Sequence, residues 1–199
     1  MANENRSIGG LLAVAREHSR RGNATIEFTL VAIPLLCVLI STFEMARGMW
    51  LYHTLAYAVK EGARYVAVRG QNSSNPVTPY GIRQYIIQQG PGLSRCQITL
   101  TLHSATQADV TISPDPDCTA PAPLNSPSSS NWPPGGTFAN PQTDNAGNTI
   151  LDNQAGQVIS INASFTFQSS ILMFWPGVQG GVAFPSFTFP AKASEVMQY

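Results

Sequence analysis

The sequence predicts an α+β chain: a long N-terminal helix whose first half is of membrane length, then an exterior part with one short helix and several strands. Three observations predict it. An uncharged apolar run extends from Phe28 to Phe43, and apolar residues then recur at three- and four-residue spacing as far as Val66. Beyond Gln97 the period changes to two. Helix first and strands later is the order of an α+β fold.

Residues 1–22 read as a cytoplasmic leader. They carry Arg6, Arg16, Arg20 and Arg21 against Glu4 and Glu17, and the apolar patch Leu11-Leu-Ala-Val is too short for a secretory core. The run from Phe28 to Phe43 makes about 24 Å of helix, a little short of a ~30 Å hydrocarbon core, whereas a start at Asn23 gives roughly the required span. A helix is therefore expected over 23–69, about 70 Å long, with 23–43 in the membrane. The upstream arginines orient it N-terminus in. Pro34 is tolerated in such a helix and predicts a kink. Glu44 and Arg47 are expected at the outer interface, where they can pair and reach water, with Trp50 and Tyr52 as an aromatic belt.

Outside the membrane the helical stripe comprises Trp50, Leu51, Leu55, Ala58, Val59, Gly62, Ala63 and Val66, with Glu61 and Arg64 as an i,i+3 pair. Gly70 and the turn residues up to Pro76 stop it. The exterior part, 70–199, opens with a short helix over Pro79–Gln89, presenting Ile82, Tyr85, Ile86 and Gln89 on one face. Gln97–Leu102, Asp109–Ser113 and Gln157–Phe167 alternate as strands. Ser186–Phe189 alternates up to Pro190, and Ala191–Gln198 is a further segment suited to an edge. Between them lies an insertion at about 114–156, which holds eight of the fifteen prolines. It is expected to be a mobile surface segment, because its composition cannot offset its ordering entropy.

Charged residues make up 11% of the chain, against roughly 25% in an average soluble domain. After Arg95 only Lys192 is basic, against Asp109, Asp115, Asp117, Asp144, Asp152 and Glu195. So cation-poor an exterior excludes nucleic acid as a partner. Cys37 sits in the apolar run as a small hydrophobe. Cys96 and Cys118 could close a loop worth about 3 kcal/mol in an oxidising compartment, or stand as two thiols.

No catalytic constellation emerges. His18, His53 and His103 lack partners at ligand spacing, and phosphate loops, nucleophile elbows and zinc signatures are missing from the sequence. No cofactor, metal or small-molecule substrate is implied. Asp109, Asp115 and Asp117 lack the glycine turn and terminal glutamate of a calcium loop and read as solvated acids. Asn72-Ser-Ser and Asn162-Ala-Ser match the glycosylation pattern at a frequency chance supplies. Phe174–Gly181 is an aromatic tip followed by glycines, either a core-covering turn or a partner contact.

Glu27 is the odd residue, a carboxylate at the head of a bilayer segment. One reading makes it a helix-start acid that favours the positive end of the dipole. The other begins with Gly22: cleavage there would create an α-amino group on Asn23, about one turn from Glu27, and the two charges could pair within or between chains. Such a pair, with Phe28 beside it, would set axial register between packed helices.

Three stretches carry a resemblance: Arg21-Gly22-Asn-Ala-Thr-Ile-Glu27-Phe28-Thr-Leu-Val-Ala-Ile-Pro34-Leu-Leu, Phe43-Glu44-Met-Ala-Arg47 and Ala58-Val-Lys-Glu61-Gly62-Ala63-Arg64-Tyr65. They resemble the TadE-like minor pilins, or pseudopilins, of the tight-adherence (Flp) pilus system. The ending Ala191–Gln198 is similar to that family's C-terminal strand. The resemblance implies a pilin-like fold, with a small antiparallel sheet on the outer half of the helix. It also implies cleavage by a prepilin peptidase between Gly22 and Asn23, a non-enzymatic role, and a single-pass location in a bacterial inner membrane with the exterior domain periplasmic or extracellular. Other pilins and the inner-membrane assembly platform would be the partners, besides lipid. The alternative is a membrane-tethered exported adhesin or binding domain that never enters a filament.

Overall fold

The computed structural model describes residues 5–69, 73–119, 130–168 and 186–198, with side chains from residue 24 onward. In chain order the elements are α1 (Asn5–Ala67), α2 (Pro79–Gln89), β1 (Ile98–His103), β2 (Val110–Ile112), β3 (Val158–Phe167) and β4 (Phe187–Val196). Two compact units result, Met1–Ala46 and Arg47–Tyr199, and α1 contributes to both.

In the first unit the described side chains of α1 are apolar and uncovered almost all round; Ile26, Phe28, Leu30, Ile33 and Val38 are each more than three-fifths exposed. A helix apolar on every face belongs in a membrane or a large core. From Ala24 onward α1 is long and apolar enough to cross a bilayer, and no residue of its most apolar stretch is buried. The Thr29, Ser41 and Thr42 hydroxyls are satisfied within the helix. Thr29 donates to the Ile26 carbonyl (2.9 Å), Ser41 to Cys37 (2.7 Å) and Thr42 to Val38 (2.8 Å), so none presents an unmet donor to hydrocarbon. Pro34 lies inside α1 without ending it.

In the second unit the same helix buries a single stripe. Leu51, Leu55, Ala58, Val59, Ala63 and Val66 are buried at the expected spacing, whereas Trp50 remains 52% exposed and leaves the stripe. Opposite the helices lies a four-stranded antiparallel sheet in the order β2-β1-β3-β4. Alternation gives it one apolar face: Ile98, Leu100 and Leu102 of β1 and Ile159, Ile161, Ala163, Phe165 and Phe167 of β3 join the core.

Helix α2 starts at an N-cap, where Thr78 Oγ1 accepts from the Gly81 N–H, followed by Pro79 in the first turn. Its buried face holds Ile82 and Ile86 as predicted, but Arg83 replaces Tyr85 and Gln89. Tyr85 instead stacks on Tyr65 of α1, with ring centroids 4.0 Å apart and planes 14° from parallel. The two helices approach closely at Gly62, where a Cβ would stand 2.5 Å from Ile86 Cγ1.

Two expectations need correction. The segments Ser186–Phe189 and Ala191–Gln198 are one strand that runs straight through Pro190. Met197 N–H donates to the Gln157 carbonyl (2.8 Å) at the foot of the ladder, so by antiparallel alternation the odd-numbered residues of β4 bond to β3. Pro190 is even-numbered and faces away from β3, where a missing N–H costs no ladder bond.

The 114–156 insertion is also partly docked, although 120–129 lie outside the described residues. Trp132 is buried in the core and its N–H donates to the Val77 carbonyl at 2.8 Å. Asp152 is buried too, and its carboxylate accepts from Gly136 N–H (2.6 Å) and the Thr106 hydroxyl. Composition argued for a solvated segment, but one large aromatic and one hydrogen-bonded acid are enough to pin it. At its tip the Asp144 carboxylate accepts from the Ala146 and Asn148 N–H groups at 2.9 and 2.8 Å. Asn148, by its backbone and then its side chain, holds the Asp144 carboxyl below its usual value. The turn's contribution is therefore full above the unfolded carboxylate range and is lost as pH falls through the lowered folded value.

Gly62 supplies a stability test. Alanine there gains roughly 1 kcal/mol of helix propensity but overpacks a buried isoleucine, a cost of about 1–3 kcal/mol. Gly62→Ala should lower the thermal midpoint of the full chain in detergent, and less so in an Ile86→Ala background, which lacks the Cγ1 and Cδ1 atoms that the new methyl would meet. Equal effects in both backgrounds would contradict the contact.

Candidate functional site: the leader junction and its helix

The predicted site residues follow the length of α1 rather than converging on a pocket. Gly22 and Asn23 belong to the backbone of α1, with side chains outside the described residues. Glu27 follows Asn23 by about 6 Å of helical rise. Glu27 and Phe28 are both exposed, Phe28 by 72%.

Of the four residues expected at the interface, Glu44 is half-buried, and the other three are partly engaged by the exterior domain. Arg47 places its guanidinium 5.2 Å from the centre of the Phe167 ring. Tyr52 meets Phe189 edge-on at 6.0 Å, and the Trp50 ring lies beside Gly92, whose φ is 88°. Gly48 is buried, and a Cβ there would stand 3.6 Å from the Phe189 ring. Sequence reasoning missed Phe167 and Phe189 as partners of this end of the helix, since a period-two pattern shows a strand but not what packs on it.

At its other end α1 is tied to β4. Arg64 pairs with Glu61 at 3.0 Å, as the spacing suggested, and also reaches Glu195 at 3.8 Å. Gln198 N–H donates to the Ala67 carbonyl (3.0 Å), satisfying an acceptor of the last helical turn. Thus the stretches Ala58–Tyr65 and Ala191–Gln198, far apart in sequence, meet.

Cys96 and Cys118 are joined as a disulfide with a Cα–Cα separation of 5.8 Å, beside an ionic cluster. Arg83, 2% exposed, pairs with Asp115 at 2.8 Å, donates to the Ser113 carbonyl at 3.1 Å and lies 4.6 Å from the centre of the Tyr80 ring. Arg95 approaches the second Asp115 oxygen at 3.5 Å and donates to the Cys118 carbonyl at 3.0 Å. Asp115 is therefore not a solvated loop acid. Asp109 takes the His103 Nδ1 at 2.6 Å, and Asp117 accepts from the Thr119 N–H and hydroxyl. Each of the three acids is thus engaged by groups of this domain, and Arg95, beside Asp115, also donates to the Asp117 carbonyl at 3.3 Å. His103 does have an acid partner, brought within reach by the β1–β2 connection. Among the described residues no group of three or more metal-ligating side chains forms. Asn162 sits inside β3, paired with both neighbouring strands, which is no place for a glycan acceptor. The tip Phe174–Gly181 and Asn72 lie outside the described residues.

Most of the predicted site residues lie on the stretch of α1 from residue 22 to the turn that carries Arg64. Residues 22–64 match the family model described as TadE-like protein. No curated protein and no solved structure matches the chain. The TadE-like segment takes in the expected cleavage position, the uncovered apolar run and most of the buried stripe. It covers about a fifth of the 199 residues, and the sheet and the insertion fall outside it.

The ionic cluster yields two expectations. Asp115→Asn leaves Arg83 buried without its counter-charge and should destabilise the exterior unit by about 3 kcal/mol, read by denaturant unfolding. Native protein treated with a thiol-alkylating reagent before reduction should gain mass at Cys37 alone; prior labelling of Cys96 or Cys118 would show them unbonded.

Proposed function

We propose that the chain is a TadE-like minor pilin of a tight-adherence pilus, anchored by α1 in the inner membrane and cut after Gly22. The match over 22–64 carries this reading. It spans an apolar helix that the chain leaves uncovered and ends in the stripe that holds the exterior domain, so it covers the part a pilin uses to lie beside other pilins. The role is structural: lateral contact between helices, with the exterior unit displayed outside the membrane.

Cleavage would give Asn23 a free α-amino group one helical turn from Glu27. In hydrocarbon both charges need partners, and pairing within a chain or with a neighbour supplies them. Glu27 is then the register residue, and Phe28 its apolar neighbour in the packed face. Prepilin peptidase, other pilins and the assembly platform are the partners of this reading.

Terminal sequencing of the membrane-extracted protein should begin at Asn23; an intact leader would instead support a plain anchor for an exported binding domain. Glu27→Ala should leave cleavage unchanged and reduce pilus assembly severely. Normal assembly in that variant would remove the register argument.

A further inference from the structure

We propose that the end of the exterior domain that carries Arg47 rests on the lipid headgroup layer. The contact is a rim of Arg47, Trp50 and Tyr52 from α1 and Phe187 from the sheet, backed by the buried Phe167 and the partly buried Phe189. The inference rests on the reading of α1 as a membrane span and adds to it a second contact, made by strands far from the span in sequence.

Strand direction places this rim. β4 runs antiparallel to the outer part of α1: Phe189 lies against Gly48 and Tyr52 at its start, and Gln198 bonds to Ala67 at its finish. Gly48 to Ala67 rises about 30 Å as helix, and Phe189 to Gln198 about 30 Å as strand, so the two elements begin at the same level. Phe187 precedes Phe189 by two residues and stands opposite Phe167. It therefore projects to or past the level of Gly48, at the end of the domain where the apolar helix enters. Phe187 is 58% exposed, Trp50 52% and Tyr52 42%.

Composition names the occupant. Aromatic rings with a polar or cationic companion are the chemistry of the bilayer interface, where the ring sits among carbonyls and the cation meets phosphate. Arg47 is held over Phe167 with its guanidinium at the same level. The opposite end of the sheet also exposes apolar residues, Val158 by 54% and Val196 by 46%, but beside the Arg64–Glu195 pair. It thus serves as the water-facing control.

The test uses the full chain with Cys37→Ser, at low protein-to-lipid ratio in vesicles of phosphatidylethanolamine and phosphatidylglycerol. A nitroxide is placed singly through Val38→Cys, Phe187→Cys or Val196→Cys, all exposed positions that leave the core intact. Collision with oxygen is compared with collision with a water-soluble nickel chelate. The oxygen-to-nickel ratio should be highest at 38, several-fold higher at 187 than at 196, and water-like at 196. A label at 187 that matches 196 while 38 is lipid-like overturns the headgroup contact and leaves the span standing. A water-like label at 38 overturns the span itself. A label at 187 shielded from both reagents overturns lipid as the occupant in favour of a second copy of the chain.

Discussion

Around Gly48 the apolar character of α1 changes from uncovered on all sides to buried along one stripe, and the exterior unit depends on that change. On the proposed reading of this half as a membrane span, lipid would make no demand on shape, and the residues from Ile26 to Met45 need only be apolar and hydrogen-bonded within the helix. The stripe from Leu51 to Val66 does face a shape. Gly62 leaves room for Ile86, and Ala58 for the close approach of Gly90 at the end of α2, while Ile82 and Ile86 are both fully buried. Leu55, Val59 and Val66 are fully buried, each contributing roughly 1.5–3 kcal/mol. A single element thus obeys two packing rules, and the one that specifies a unique structure acts only on its second half.

The return of β4 to α1 completes that arrangement. The Arg64–Glu195 contact is too exposed to hold much, since such surface pairs contribute about 0–1 kcal/mol. Met197, 1% exposed, and the Gln198 bond to Ala67 do more: one buries an apolar side chain, and the other satisfies a helix-end carbonyl. Together with the Gly48–Phe189 approach they fix β4 along about 30 Å of helix at both ends.

How much of this was legible follows from the range of each interaction. The stripe of α1, the extent of α2 and the strands β1 and β3 rest on local periodicity and could be read directly. The continuity of β4 could not, because Pro190 is harmless only on the side facing away from β3, and that side depends on register with Ser164. Burial of Arg83 was hidden for the same reason: its counter-ion lies thirty-two residues away, in a segment that composition marked as solvated. Trp132 was similarly obscured by the prolines and serines around it. Around Gly22, Asn23 and Glu27 the residue types were plain, but the role proposed for them lies in contacts with other molecules, which one chain cannot display.

The disposition of positive charge bears on the kind of work the exterior unit can do. From Arg47 onward the chain has seven basic residues, all within the described residues. Arg83 and Arg95 enclose Asp115, Arg64 bridges Glu61 and Glu195, Arg69 lies over Tyr65, and Arg47 lies over Phe167. Each arginine therefore braces a carboxylate or an aromatic ring of the same domain, using the planar guanidinium that lysine lacks. Only Lys60 and Lys192 remain as solvated cations, one on α1 and one on β4. A surface so arranged holds little attraction for polyanions. Its charges join helix to strand and helix to loop, so they hold this unit together rather than face outward.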